Sequence, residues 1–161
     1  MRKLIKQIYA EWKSVKERAQ KDCENRSLFN MAEKYRECNM LKGTEDIEQI
    51  VRLFFSLQGV EFCQKYNFPN IQTLRKFKPY DVERFGVFID AGRISLNNVR
   101  KVILIGDTDA AITCGNNWRY EVIMMHGAKA EITALGWAVV AIENKGGNKV
   151  KVTAKDRAKI L

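Results

Sequence analysis

Beyond Gly86 the apolar residues of this chain recur at every second position, in short runs that each stop at glycine or asparagine. Val87 and Ile89 alternate, then Ile94 and Leu96. Val102 and Leu104 follow, with Ile103 and Ile105 on the opposite face. Ala110, Ile112 and Cys114 come next, then Val122 and Met124. Ala128, Ala130 and Ile132 alternate again, as do Ala138, Val140 and Ile142. Val150 and Val152 come last, with Ile160 closing the sequence. A period of two is the mark of a strand, because successive side chains of extended backbone point to opposite faces. Gly92, Asn97-Asn98, Gly106, Gly115-Asn116-Asn117, Gly127, Gly136 and Gly146-Gly147-Asn148 supply the turns, through positive φ or self-capping side chains. About nine short strands between Gly86 and Leu161 make this an all-β unit.

The strands group in pairs. Each unit reads strand, glycine corner, strand, polar turn, and the units begin at Val87, Val102, Val122 and Val139, which are 15, 20 and 17 residues apart. An approximate period of this length fits the coils of a β-solenoid, with apolar residues turned inward and small alanines in tight places. Successive hairpins in an antiparallel β-sandwich or barrel give similar spacing. The restart of alternation after each glycine favours the solenoid.

The first half has a different rhythm. Leu4, Ile8, Trp12, Val15 and Ala19 lie on one stripe of a helix, with Lys3, Lys6, Lys13 and Lys16 on other faces. Such a basic amphipathic helix packs on a core, or lies on a membrane or partner. A second helix is expected over Ser27 to Leu41, capped by Ser27 and ended by Gly43. A third begins after Thr44, with Ile47, Ile50, Val51, Phe54 and Phe55 as its apolar stripe and an interruption at Gly59. Asn67-Phe68-Pro69-Asn70 reads as a turn, and Asn70 as the cap of a short helix through Ile71, Leu74 and Phe77. The fold class is therefore α+β: a helical region over residues 1–85, then a short β-solenoid over residues 86–161.

The residues Ile89-Asp90-Ala91-Gly92, Leu104-Ile105-Gly106-Asp107-Thr108, Met125-His126-Gly127-Ala128-Lys129-Ala130 and Gly136-Trp137-Ala138-Val139-Val140 carry a resemblance. The chain resembles small uncharacterised proteins of gut bacteria and their mobile elements, a likeness that implies no activity. The β half is also similar in pattern to the short solenoids of the polymer-forming, bactofilin-like class. That class has no helical half of this length, so the likeness implies a fold rather than a filament.

Charge and chemistry narrow the function less. The net charge of +9 is spread along the chain: eleven basic against seven acidic residues in 1–45, six against five in 46–85, eleven against seven in 86–161. A nucleic-acid binder usually concentrates its charge, so this excess serves solubility as well as polyanions. Cys23, Cys38, Cys63 and Cys114 lie 15, 25 and 51 residues apart, with no Cys-x-x-Cys and one histidine. That matches no zinc or redox motif, and implies free thiols in a reducing, cytoplasmic setting. No metal or cofactor is expected, and no run is long enough for a membrane span. His126 has no evident carboxylate partner, so catalytic residues cannot be assigned. The stretch Gly106-Asp107-Thr108-Asp109 reads as a polar turn before it reads as a calcium site, since two carboxylates are few for a hard cation. Gly146-Gly147-Asn148-Lys149 lacks the spacing of a phosphate loop. Trp118, Arg119, Tyr120 and Trp137 mix aromatic rings with a base, which single strands exploit by stacking.

Ala158-Lys159-Ile160-Leu161 falls inside an apolar strand pattern. A last coil there is expected to be uncovered, with the helical half shielding the first coil near Tyr80–Phe85. Ile160 and Leu161 are thus the candidate interaction residues, for self-association or for another protein. The expected function is a structural or protein-interaction module, most simply non-enzymatic. The alternative is a nucleic-acid-associated accessory protein of a mobile element.

Overall fold

A computed structural model describes residues 1–144 and 146–161. The chain divides into two compact units, Met1–Lys76 and Phe77–Leu161.

The first unit holds five helices: α1 (Arg2–Asn25), α2 (Phe29–Glu37), α3 (Ile47–Phe54), α4 (Leu57–Tyr66) and α5 (Ile71–Arg75). The stripe of α1 is buried at Leu4, Ile8, Trp12 and Ala19, so its apolar face belongs to a core. Lys16 Nζ donates to the carbonyls of Arg36 and Cys38, tying the middle of α1 to the end of α2. The expected boundaries of α2 and α3 move. Ser27 has a left-handed φ of 57° just beyond α1, so it ends one helix rather than capping the next. Thr44 yields the cap of α3 to Asp46, whose Oδ1 accepts from Gln49 N–H while Gln49 Oε1 accepts from Asp46 N–H. Gly59 does not break a helix. It lies inside α4, where an added Cβ would sit 2.2 Å from the Leu53 carbonyl oxygen. Only glycine lets the chain pass that close to α3. Asn70 caps α5, accepting from Thr73 N–H.

The second unit opens with two 3-10 turns (Lys78–Tyr80 and Val82–Phe85) and continues in nine strands. These are β1 (Val87–Ile89), β2 (Gly92–Asn97), β3 (Lys101–Ile105), β4 (Thr108–Cys114), β5 (Arg119–Met125), β6 (Lys129–Ala134), β7 (Val139–Asn144), β8 (Lys149–Ala154) and β9 (Lys159–Ile160). They form two sheets in the orders β1-β3-β5-β7-β9 and β2-β4-β6-β8. All seven pairings are parallel, which excludes the antiparallel sandwich or barrel. Odd strands stack on odd and even on even, so the chain winds as a β-solenoid of about four coils. The first coil sets Val87 over Ile103, sixteen residues on. Each later coil takes twenty, as from Ile103 to Ile123 and from Lys129 to Lys149.

Inside, residues of one column repeat from coil to coil. Ile112 stacks on Ile132 and Ile132 on Val152; Tyr120 stacks on Val140 and Val140 on Ile160. The other faces of β3 and β5, at Ile103, Ile105, Ile123 and Met125, are buried too. These strands therefore read as continuous apolar runs, as parallel strands covered on both sides do. Gly86 begins the first coil at φ +77°, its carbonyl accepting from Ile103 N–H. A Cβ there would fall 2.3 Å from the Lys101 carbonyl oxygen, so the position admits only glycine.

Candidate interaction site

The corners of the solenoid explain several residues that look chemical in the sequence. Ile89, Ile105 and Met125 share a column, so the residues after them, Asp90, Gly106 and His126, occupy equivalent corners. All three have positive φ, at 44°, 65° and 56°. His126 thus stands where the coil needs a left-handed residue, a conformation that histidine, asparagine and aspartate tolerate better than most. Asp107 and Asp109 are also structural. Asp107 N–H donates to Asp90 Oδ1, and Asp109 pairs with Arg93 across one coil step at 3.8 Å. Thr108 between them is buried, its Oγ1 2.9 Å from the Ile105 carbonyl and 3.1 Å from Ala91 N–H. No group of three His, Cys, Asp or Glu side chains suited to a metal occurs among the described residues.

Other corners are stapled in the same way. Asn98 Oδ1 accepts from Gly115 N–H at 2.7 Å and from the Tyr120 hydroxyl at 3.1 Å. Asn148 accepts from Gly127 N–H and donates to the Met124 carbonyl, so the glycine-rich turn is a clasp between coils. Asp156 accepts from Gly136 N–H. The cysteines form no disulfide among the described residues; Cys23, Cys63 and Cys114 are buried and Cys38 is half-buried. Burial pushes the Cys63 and Cys114 thiols up to about 11.

In the helical unit, a cavity of about 520 Å³ is lined by Trp12, Met31, Tyr35, Phe62 and Lys65 among others. Burial, and then the neighbouring Tyr66, push Tyr35 up to about 12. No described helix is long and apolar enough to cross a membrane.

The last coil, like the first, is an edge of the stack. β8 and β9 are the edges of their sheets. In the interior column, Ile132 is wholly buried but Val152 below it is 36% exposed. Val150 and Ile160 are half-buried against the core. Leu161 is 64% exposed, yet its backbone is held: its N–H donates to the Val140 carbonyl and its carbonyl accepts from Ile142 N–H. Lys149 and Lys155 N–H donate to the Ala128 and Ala134 carbonyls. Alternate residues of a parallel strand bond to opposite sides, so the N–H and C=O groups of Val150, Val152 and Ala154 point away from β6.

On the outer face of β8 the charges are of one sign, Lys149 and Lys151. Lys151 meets Glu131 at 3.2 Å one coil above, and Lys101 meets Glu121 at 3.1 Å. The chain thus places opposite charges in successive coils. Lys149, by contrast, lies in register with Lys129. Ile160 and Leu161 therefore form only part of the candidate site. The signal for the rest, Lys149, Val150, Lys151 and Val152, is the alternation of lysine with valine. No family model, no curated protein and no solved structure matches the chain.

Proposed function

We propose that this protein is a protein-interaction module that works in the cytoplasm and receives a β-strand of another polypeptide on the last coil of its solenoid. The observation that carries this reading is the exposed edge of β8, with its interior column open at Val152 and its backbone groups directed outward. Cysteines without a disulfide agree with a reducing compartment.

The register favours a different chain over a second copy. Stacked head to tail, β8 of one copy would meet β2 of the next, setting Lys149 in the column that holds Arg93. β9 lies in the columns of Val139 and Val140, while β1 lies in those of Ile103 to Ile105, so the other pair of strands would not meet. The incoming strand instead carries carboxylates opposite Lys149 and Lys151, with apolar residues opposite Val150 and Val152. This continues the alternation of charge seen between Glu131 and Lys151.

A labelled peptide alternating Glu and Val, titrated against one alternating Lys and Val, tests the reading by fluorescence anisotropy. The wild type is expected to bind the first and not the second, and K149E/K151E to reverse the preference. Binding of neither peptide, or a preference unmoved by the double variant, would overturn it.

A further inference from the structure

The geometry points to a second binding surface, for single-stranded nucleic acid, along one corner ridge of the solenoid. Independently of the β8 edge, the ridge is built by residues 98–100, 115–118, 135–138 and 155–158, which link the two sheets on the four coils. It presents two of the chain's three tryptophans, Trp118 at 40% and Trp137 at 58% exposure. Each indole is paired with a guanidinium: Arg100 Cζ lies 4.5 Å from the Trp118 centroid, and Arg157 Cζ lies 4.7 Å from that of Trp137. Tyr120, which follows Trp118 by two residues, is turned inward and wholly buried, so the exposure of the indoles is selective.

The charge of the ridge fits the same ligand. Arg100, Lys155 and Arg157 belong to it and exposed Arg119 adjoins it. Its one carboxylate, Asp156, already accepts from Gly136 N–H. A planar cation lying over an indole extends one stack to an unpaired base and takes its phosphate by charge. Successive coils advance about 4.8 Å, a little more than the roughly 3.4 Å between stacked bases. Adjacent bases of a loosened single strand therefore reach successive coils. A duplex, with its base faces covered, has no such contact to offer.

The test is a titration with a thymidine oligomer of about 16 nucleotides, at low salt, read by tryptophan fluorescence. Trp12 is buried, so quenching reports the ridge. We expect quenching by the oligomer, weakened as salt rises. We expect Kd to rise about tenfold in Trp137→Ala and in Trp118→Ala. Arg157→Lys keeps the charge and should still weaken binding severalfold, because an ammonium does not stack. Trp137 is exposed enough that its alanine variant keeps the fold, which circular dichroism verifies. The inference fails if the oligomer does not quench at low salt. It fails equally if the double alanine variant binds a fluorescein-labelled oligomer, read by anisotropy, as tightly as wild type does, which means attraction by charge alone. Quenching by a neutral glucan in place of the oligomer would assign the ridge to sugars and overturn it.

Discussion

Asn98 shows how much one corner residue does in this molecule. It holds a left-handed φ of 55°, and its Oδ1 gathers Gly115 N–H, Asn116 N–H and the Tyr120 hydroxyl from the next coil. Asn98→Ala removes the acceptor from all three donors, and the expected loss is about 2 kcal/mol of stability. Tyr120→Phe, which leaves Asn98 its two backbone donors, should cost about 1 kcal/mol. Thermal unfolding of the two variants checks the order. The buried thiols give a second prediction. Cys63 and Cys114 are raised from about 9 to about 11 by burial. Above pH 9 the unfolded thiols lose protons that the folded ones keep, so stability present below that pH is lost as pH rises towards 11. Denaturant midpoints across this window should fall, and fall less in a Cys63→Ala/Cys114→Ala variant. At neutral pH half-buried Cys38 should be the first thiol to react with an alkylating reagent. At this scale the sequence is legible as turn chemistry but not as pairing. Asn98 and Gly146-Gly147-Asn148 announce turns, yet nothing local says which neighbouring coil their side chains staple.

Among the elements, strands proved easier to read than helix ends. Alternation marks β3 to β8 because each must keep one face inward, whatever its partner. Helix limits depend on which of several polar residues finds a backbone N–H. Glu45 turns back to the amides of Lys42 and Gly43, which leaves Asp46 to cap α3. Thr44, an equally good cap by type, has no such role. Asp46→Ala should cost the helical unit about 1 kcal/mol, measured by chemical denaturation. The edge strand makes a sharper comparison. Ile132 and Val152 occupy one interior column on adjacent coils, one wholly buried and the other 36% exposed. Ile132→Lys buries an ammonium without a partner and should prevent folding. Val152→Lys leaves the charge in water and should change stability little, while abolishing binding of the Glu–Val peptide. Loss of folding in both variants would show that the last coil is as closed as the one above it.

For the whole molecule, the number and spacing of strands were legible, and the restart of alternation after each glycine favoured the solenoid that the structure shows, but the register was not legible. Alternation has the same period in parallel and antiparallel sheets, so a solenoid and a sandwich share one pattern until register is known. The structure resolves this through columns. Twenty-residue coils bring like residues into line, Thr113 with Thr133 and Thr153, Ala110 with Ala130. The shorter first coil hides that repeat in the sequence, because its corner has lost four residues relative to the others. Both proposed surfaces follow from this winding, the open edge from its last coil and the aromatic ridge from one of its corners.

The claim that the last coil is a strand acceptor is tested most directly by amide hydrogen exchange on the native protein. Without a partner, Val150, Val152 and Ala154 should exchange fast while Lys149, Lys151 and Thr153 are slow, since only the second set points to β6. On adding the Glu–Val peptide the first set should become slow as well. If all six amides are already slow alone, or if the peptide leaves the fast set unchanged, the last coil is not a docking edge.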